Sequence, residues 1–203
     1  MRRAKTDSLS WNYFIEIDPD LALLQEVNEI PRSIKDQYDY RYLKARKQSG
    51  EDQRFGNAVL VKGEIEDDLS LSSEIQWVKD EINFFSGNLL SCVAKPTGQD
   101  PIKVVSAYSP AWPIDKERLN GIDVSGVKLD DNPDVWLTEI LWCGLKNAQP
   151  QDTERWIVAG DLNSSETFDV KWGPRGNKQV MERMKDLGFY ECLRGFQKEL
   201  TPT

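Results

Sequence analysis

Short runs rich in Val, Ile and Leu recur along the chain, each bounded by turn residues, and this punctuation limits the fold more than any other feature. Runs of this kind suit strands buried in a sheet. They fall at residues 9–14, 21–25, 58–62, 89–94, 103–108 and 156–159. Helical patterns lie between and after them. One helix is expected after Asn132, a good N-cap, with Pro133 at its first position and Asp134 favouring its positive end. Trp136, Ile140 and Cys143, flanked by Leu137, Leu141 and Leu145, give it a wide apolar stripe that needs a sheet to cover. A second helix is expected over residues 178–187, where Val180, Met181, Met184 and Leu187 repeat at helical spacing and Gly188 supplies the stop. The acidic, turn-rich stretches 63–73 and 115–131 read as surface loops. Strands and helices mixed in this order argue for an α/β or α+β fold. At 203 residues the chain has room for one sizeable core, so a single domain over residues 1–203 is expected.

Charge and residue types exclude several functions. Twenty-six basic against 34 acidic side chains leave a net charge of −8, which disfavours broad binding to phosphate backbones through Lys and Arg. A phosphate-ester enzyme is still compatible with that charge, because a bound divalent cation reverses the local sign in an acidic site. The chain has no histidine, which removes Ser-His-Asp and Cys-His mechanisms and every His-based zinc site. Cys92, Cys143 and Cys192 form no CxxC pair and read as free, buried thiols of a reducing compartment. No window reaches the roughly 18 to 20 apolar residues that span a bilayer, and the polar start has no signal-peptide core. No membrane insertion and a cytoplasmic location are therefore expected.

Two elements carry candidate chemistry. The run from Pro19 to Val27 places Glu26 at the end of an apolar strand, where α/β proteins hold side chains rigidly at the mouth of a crevice. By itself such a carboxylate is an ordinary solvated charge. The run Trp156-Ile157-Val158-Ala159-Gly160-Asp161-Leu162-Asn163 breaks at glycine and delivers Asp161 and Asn163 at alternate positions, able to converge on one ligand. Taken alone, the pair is better read as an Asx-type turn, each side chain bonding its own backbone. Trp112 and Trp136 read as core residues.

Together, the Leu24-Gln25-Glu26 block and the Gly160-Asp161-Leu162-Asn163 block resemble the marks of the endonuclease/exonuclease/phosphatase superfamily. Ser10-Trp11-Asn12, the stretch Arg54-Phe55-Gly56-Asn57-Ala58-Val59-Leu60, and Val104 to Pro110 before Trp112 add to the likeness, which covers residues 8–203. The resemblance implies a two-sheet α/β sandwich of the DNase-like type and a magnesium- or manganese-dependent phosphoesterase. Its substrate would be a phosphate ester: nucleic acid, an inositol-phosphate-like head group or a sphingolipid. It further implies Glu26 as the principal Mg²⁺ ligand with Asn12 close to the same metal, since hard cations want oxygen donors. Asp161 would orient or deprotonate the attacking water, and Asn163 would hold the phosphate oxygens. Tyr108 falls where the abasic-site endonucleases keep a tyrosine that contacts the scissile phosphate.

Two departures qualify the likeness. Family members close with an Asp-bearing strand and a Ser-Asp-His block, whereas this sequence runs out at Leu200-Thr201-Pro202-Thr203, which resembles the lead-in to those strands. The expected sandwich is therefore incomplete, with activity impaired and self-association expected through an uncovered sheet edge. In addition, only residues 13–20 separate Asn12 from the Glu26 strand, fewer than the roughly dozen a parallel crossover needs. Either Asn12 is not the counterpart, or the crossover helix is lost. The alternatives to an enzyme are an inactive relative serving as a binding module, and a fragment of a longer chain.

Overall fold

A computed structural model describes residues 5–67, 69–173 and 175–196; residues 1–4 and the closing 200–203 string lie outside the described residues. The elements in chain order are α1 (Leu9–Ile17), β1 (Leu21–Val27), α2 (Arg32–Lys35), β2 (Asp39–Arg46), β3 (Asp52–Val61), β4 (Gly63–Asp67) and α3 (Gln76–Phe84). They continue with β5 (Leu89–Pro96), β6 (Ile102–Tyr108), α4 (Leu137–Ala148), β7 (Trp156–Asp161), α5 (Glu166–Trp172), α6 (Asn177–Asp186) and α7 (Cys192–Phe196). The fold is mixed α and β with two sheets. The chain divides into two compact units, one of Met1–Leu71, Ile82–Tyr108 and Thr153–Leu162, the other of Ser72–Glu81, Ser109–Asp152 and Asn163–Thr203.

The first unit holds both sheets. One has strand order β1-β3-β2 and is antiparallel; the other, β4-β5-β6-β7, is antiparallel except for the parallel pair β6 and β7. They pack face to face because alternate residues of each strand are apolar and point the same way. Leu21 and Leu23 of β1 and Val59 and Val61 of β3 meet Leu90, Cys92, Ala94, Ile102 and Val104 of the facing sheet. The other residues of the same strands, Ala22, Leu24, Ala58 and Leu60, turn outward to a second cluster closed by Trp11, Phe14, Ile30, Ile34 and Tyr38. Thus α1 and α2 cover the outer face of the three-stranded sheet.

Five of the six expected strands form. The sixth, residues 9–14, belongs to a helix instead. Trp11 and Phe14, three apart, are its buried residues, and Ser8 caps it by accepting a hydrogen bond from the Ser10 N–H (3.3 Å). That spacing satisfies one helical face against a sheet, which a strand of the same residues would not. Part of the expected loop at 63–73 is also a strand. Ile65 of β4 packs into the space between the sheets while Glu66 turns out to pair with Lys95 of β5 at 2.9 Å. β2 has no apolar run, and forms by pairing along β3.

The second unit is built around α4, whose Leu137, Ile140, Leu141, Cys143 and Leu145 are buried. It begins at Leu137, later than its sequence suggests. Asn132 Oδ1 accepts from the Asp134 N–H (3.1 Å) in a local turn, and the Val135 carbonyl accepts from Ile114 (2.8 Å), so this backbone is already committed. The helix starts where Glu139 reaches back to the Trp136 N–H at 3.1 Å. The second expected helix is α6, with Val180 and Met184 buried. Between residues 115 and 131 the backbone is irregular, and Arg183 holds it by donating to the Val127 and Lys128 carbonyls while its guanidinium lies 4.5 Å from the Trp142 ring. Cys92 and Cys143 are buried, and burial pushes both thiols up to about 11; Cys192, expected to be buried, is exposed at the start of α7. Among the described residues no helix is long and apolar enough to cross a membrane.

Glu139 gives this unit a pH dependence. Its carboxylate is buried, accepts from the Thr138 hydroxyl (2.7 Å) and from Trp136, and is pushed up to about 7 by burial, which outweighs those bonds and the Arg183 charge. The folded state therefore holds the proton more tightly than the unfolded chain. The stabilisation is complete below the ordinary value of 4.5 and is lost as pH rises through about 7. Glu139→Gln keeps the hydrogen bonds in a neutral group. Denaturant titrations between pH 5 and 8 are expected to show a decline of up to roughly 3 kcal/mol in the parent and a flattened profile in the variant.

Candidate active site at one end of the sandwich

Asn57 organises the local structure. It is fully buried on β3, in the middle of an apolar run, and its side-chain amide donates to the carbonyl of Asn88, in the turn that leads into β5 (2.9 Å), and to the Ser106 carbonyl on β6 of the facing sheet (3.0 Å). Two carbonyl partners fix which end of the amide is nitrogen. Asn88 extends the network: its carbonyl also accepts from the Tyr108 N–H (2.7 Å), its Nδ2 donates to the Tyr108 carbonyl (3.3 Å), and its Oδ1 accepts from the Arg46 N–H (2.7 Å). Gln25 of β1 adds another link between sheets, donating to the Ser106 hydroxyl at 2.9 Å.

Glu26 reaches this region through an irregularity of β1. Leu24 pairs with Ala58 and Val27 with Gly56, so β1 carries one more residue than β3 across the interval, and Gln25 and Glu26 together oppose Asn57. This is a β-bulge, a device that re-aims a side chain. Strict alternation would send Glu26 outward with Ala22 and Leu24. Instead Val27 joins the outward cluster, and Glu26, at φ 55°, takes the extra position in the bulge beside Gln25. A left-handed backbone is uncommon for a residue with a Cβ and costs of order 1 kcal/mol.

Asp161 and Tyr108 arrive on neighbouring strands. They pair directly at the ends of β7 and β6, two residues beyond the Ser106–Ala159 pair against which Gln25 is bonded. Gly160 makes that close pairing feasible: it has φ 147°, and a Cβ there would lie 1.9 Å from the Ala107 carbonyl oxygen. The Tyr108 ring packs edge-on against Phe55, centroids 5.3 Å apart. Glu26, Asn57, Tyr108 and Asp161 thus belong to one end of the first unit.

The other two candidate residues are Asn12 and Asn163. Asn12 is exposed on α1, and that helix covers the face of the three-stranded sheet opposite to the one Gln25 and Asn57 present. Asn12 thus stands on the helix that leads into β1 rather than on a strand before it. Asn163 belongs to the second unit, at φ 47°, and donates its side-chain N–H to the Ser109 carbonyl at 2.6 Å. Asn57 had been visible only as part of a family-like stretch. The signal that marks it is a lone amide inside the apolar run Phe55–Val61, where a polar side chain must find buried partners.

Among the described residues no three His, Cys, Asp or Glu side chains gather in a way that could hold a metal ion. A magnesium ion needs less, taking one or two carboxylates and completing its shell with waters and substrate phosphates. The oxygens here suit such an ion. Asn57 Oδ1 is buried and has no hydrogen-bond partner, and it stands in register opposite the bulge that carries Glu26. No family model matches the chain, and neither does any curated protein or solved structure.

Two substitutions probe this architecture. Glu26→Gly relieves the left-handed strain without moving the bulge, and its unfolding midpoint is expected to exceed that of Glu26→Ala by the equivalent of about 1 kcal/mol. Equal stabilities would mean that residue 26 is not held left-handed. Asn57→Ala removes both hydrogen bonds and leaves a small void, so denaturant unfolding is expected to show a loss of about 2 to 3 kcal/mol.

Proposed function

We propose that this chain is a phosphoesterase of the DNase-like type that uses a divalent cation, Mg²⁺ or Mn²⁺, to hydrolyse a phosphate ester. The observation that carries the reading is the bulge at Glu26. A strained acidic residue at a bulge of β1, in the unit where Tyr108 and Asp161 end their own strands, is the kind of local cost that persists at functional positions. The Leu-Gln-Glu and Gly-Asp-Leu-Asn blocks support it as a resemblance.

Glu26 would hold the cation, with Asn57 Oδ1 as the amide oxygen in place of Asn12. When bound, the cation neutralises phosphate charge and so lowers the barrier to attack by water. Asp161 would accept a hydrogen bond from the attacking water and fix its direction. The Tyr108 hydroxyl would donate to a phosphate oxygen as charge grows on it. Asn163 is left out of this assignment because its amide is engaged by Ser109. The substrate is a phosphodiester or phosphomonoester, nucleic acid included.

The test is hydrolysis of a chromogenic phosphodiester and of an abasic DNA duplex by the purified protein in Mg²⁺ or Mn²⁺. Turnover is expected to vanish in chelator. It is also expected to fall at least about a hundredfold in Glu26→Gln and in Asp161→Asn, the scale of losing one group that acts on the transition state. Activity that survives both substitutions removes the assignment.

A further inference from the structure

The net charge of −8 hides a local segregation of charge. Residues 41–54, most of the hairpin of β2 and β3, carry Arg41, Lys44, Arg46, Lys47 and Arg54 against only Glu51 and Asp52. Both acids are matched within the hairpin: Glu51 pairs with Lys47 at 2.8 Å, and Asp52 lies opposite Arg46 in the ladder. Arg41 is half-buried, which leaves Lys44 and Arg54 as the exposed excess. These two share a face. Lys44 stands opposite Gly56 and two residues beyond Tyr42, which packs on the outer cluster; Arg54 is two residues before Gly56, and Phe55 between them turns inward to Tyr108. Like charges at neighbouring positions of paired strands repel, a cost that a bound polyanion offsets.

The hairpin overhangs the end of the first unit that holds Glu26. β1 makes its last pair at Val27, opposite Gly56, whereas β3 begins at Asp52 and β2 runs on to Arg46. The stretch of β3 before Gly56 therefore projects roughly 13 Å past the end of β1. Arg46 anchors the overhang. Its N–H donates to Asn88 Oδ1 (2.7 Å), Asn88 bonds the Tyr108 backbone, and the Arg46 guanidinium lies 5.1 Å from the Phe84 ring. Lys44, Gly56 and Val27 fall in one row across three strands, so the Lys44 backbone is two strand spacings, about 10 Å, from the residue that follows Glu26. One phosphate does not fill that span, but successive phosphates of a single strand do. The tip, Lys47-Gln48-Ser49-Gly50-Glu51, has no apolar side chain to insert into lipid, which favours a nucleic acid over a membrane.

We infer that the β2–β3 hairpin is a binding arm for a nucleic acid strand, in which Lys44 and Arg54 hold backbone phosphates that flank the one at Glu26. The inference rests on the phosphoesterase reading for the place of the hydrolysed phosphate, and it narrows the substrate from phosphate esters at large to a polymer. Contacts of this kind give affinity and register without preference for base sequence. They also reconcile an acidic protein with a polyanionic substrate, because the attraction is confined to one hairpin instead of spread over the surface.

Fluorescence anisotropy with a labelled single-stranded DNA oligonucleotide, in chelator so that nothing is hydrolysed, tests the arm apart from the cation. Binding should weaken as salt rises, and Lys44→Gln and Arg54→Gln should each reduce the slope of log affinity against log salt by about 0.7. The double variant should bind at least about tenfold more weakly, with an unchanged far-ultraviolet circular dichroism spectrum. Lys185→Gln on α6, the same loss of charge in the second unit, should alter neither slope nor affinity. In Mg²⁺ the double variant should raise KM for the oligonucleotide at least about tenfold and leave a small chromogenic phosphodiester unaffected. Hydrolysis of the small ester by a protein that binds no oligonucleotide overturns the arm. So does binding that Lys44→Gln and Arg54→Gln leave unchanged, or tighter binding to phosphatidylserine vesicles than to the oligonucleotide. Binding through Lys44 and Arg54 with no hydrolysis of either ester overturns the phosphoesterase reading instead.

Discussion

A buried amide in an apolar sandwich is unfavourable unless its hydrogen bonds are made, and this requirement at Asn57 fixes how the two sheets meet. Apolar faces alone tolerate sliding, because Val against Leu is nearly indifferent to a small shift. The Asn57 bonds to the Asn88 and Ser106 carbonyls are not, since any slip breaks charge-free but directional contacts inside a region without water to replace them. Gln25 meeting the Ser106 hydroxyl repeats the constraint from the neighbouring strand. Only after the sheets are locked does the extra residue of β1 acquire a definite address, opposite Asn57.

From that address the chemistry follows. β1 spends backbone strain to hold Glu26 in a left-handed conformation where glycine would be comfortable. β7 does use glycine: Gly160 lets the strand approach Ala107 closely enough for Asp161 to pair with Tyr108. The two strands solve one steric problem differently, and the difference is informative. A position that only needs to turn takes glycine, while a position that must turn and carry a carboxylate accepts the cost.

The legible part of the fold is the part where apolar residues follow one another along a strand, whether buried as in β3 and β6 or exposed as in β7. β1, β3, β5, β6 and β7 are near-continuous apolar runs and were readable as such. β2 and β4 were not, because Asp39–Arg46 and Gly63–Asp67 bury few side chains and draw their stability from pairing with a neighbour whose identity a local pattern does not contain. Residues 9–14 misled in the opposite sense. Leu9, Tyr13, Ile15 and Ile17 are apolar yet exposed, so they blur the spacing of Trp11 and Phe14 that makes α1 a helix. The start of α4 was displaced because Asn132 is a good cap in isolation, but its side chain and the Val135 carbonyl serve a turn and a loop contact instead. At the site, Glu26 and Asp161 were legible as acids at strand ends. The bulge was not, since it exists only as a mismatch between two strands, and it breaks the alternation from which a side for Glu26 would be read.

The same strand that delivers Asp161 is the last of its sheet among the described residues, and its two ends are held by different means. At the start, Lys103 pairs with Glu154 and lies 5.2 Å from the Trp156 ring, whose N–H donates back to Glu154 at 2.9 Å. At the end, Gly160 seats β7 against β6. Between these anchors Ile157, Val158 and Ala159 run parallel to Val104, Val105 and Ser106 of β6. Parallel ladders are slightly less stable per residue than antiparallel ones, so the two anchors supply what the pairing between them lacks, and the close seating of Gly160 against Ala107 holds the carboxyl end of β7, and with it Asp161, in place.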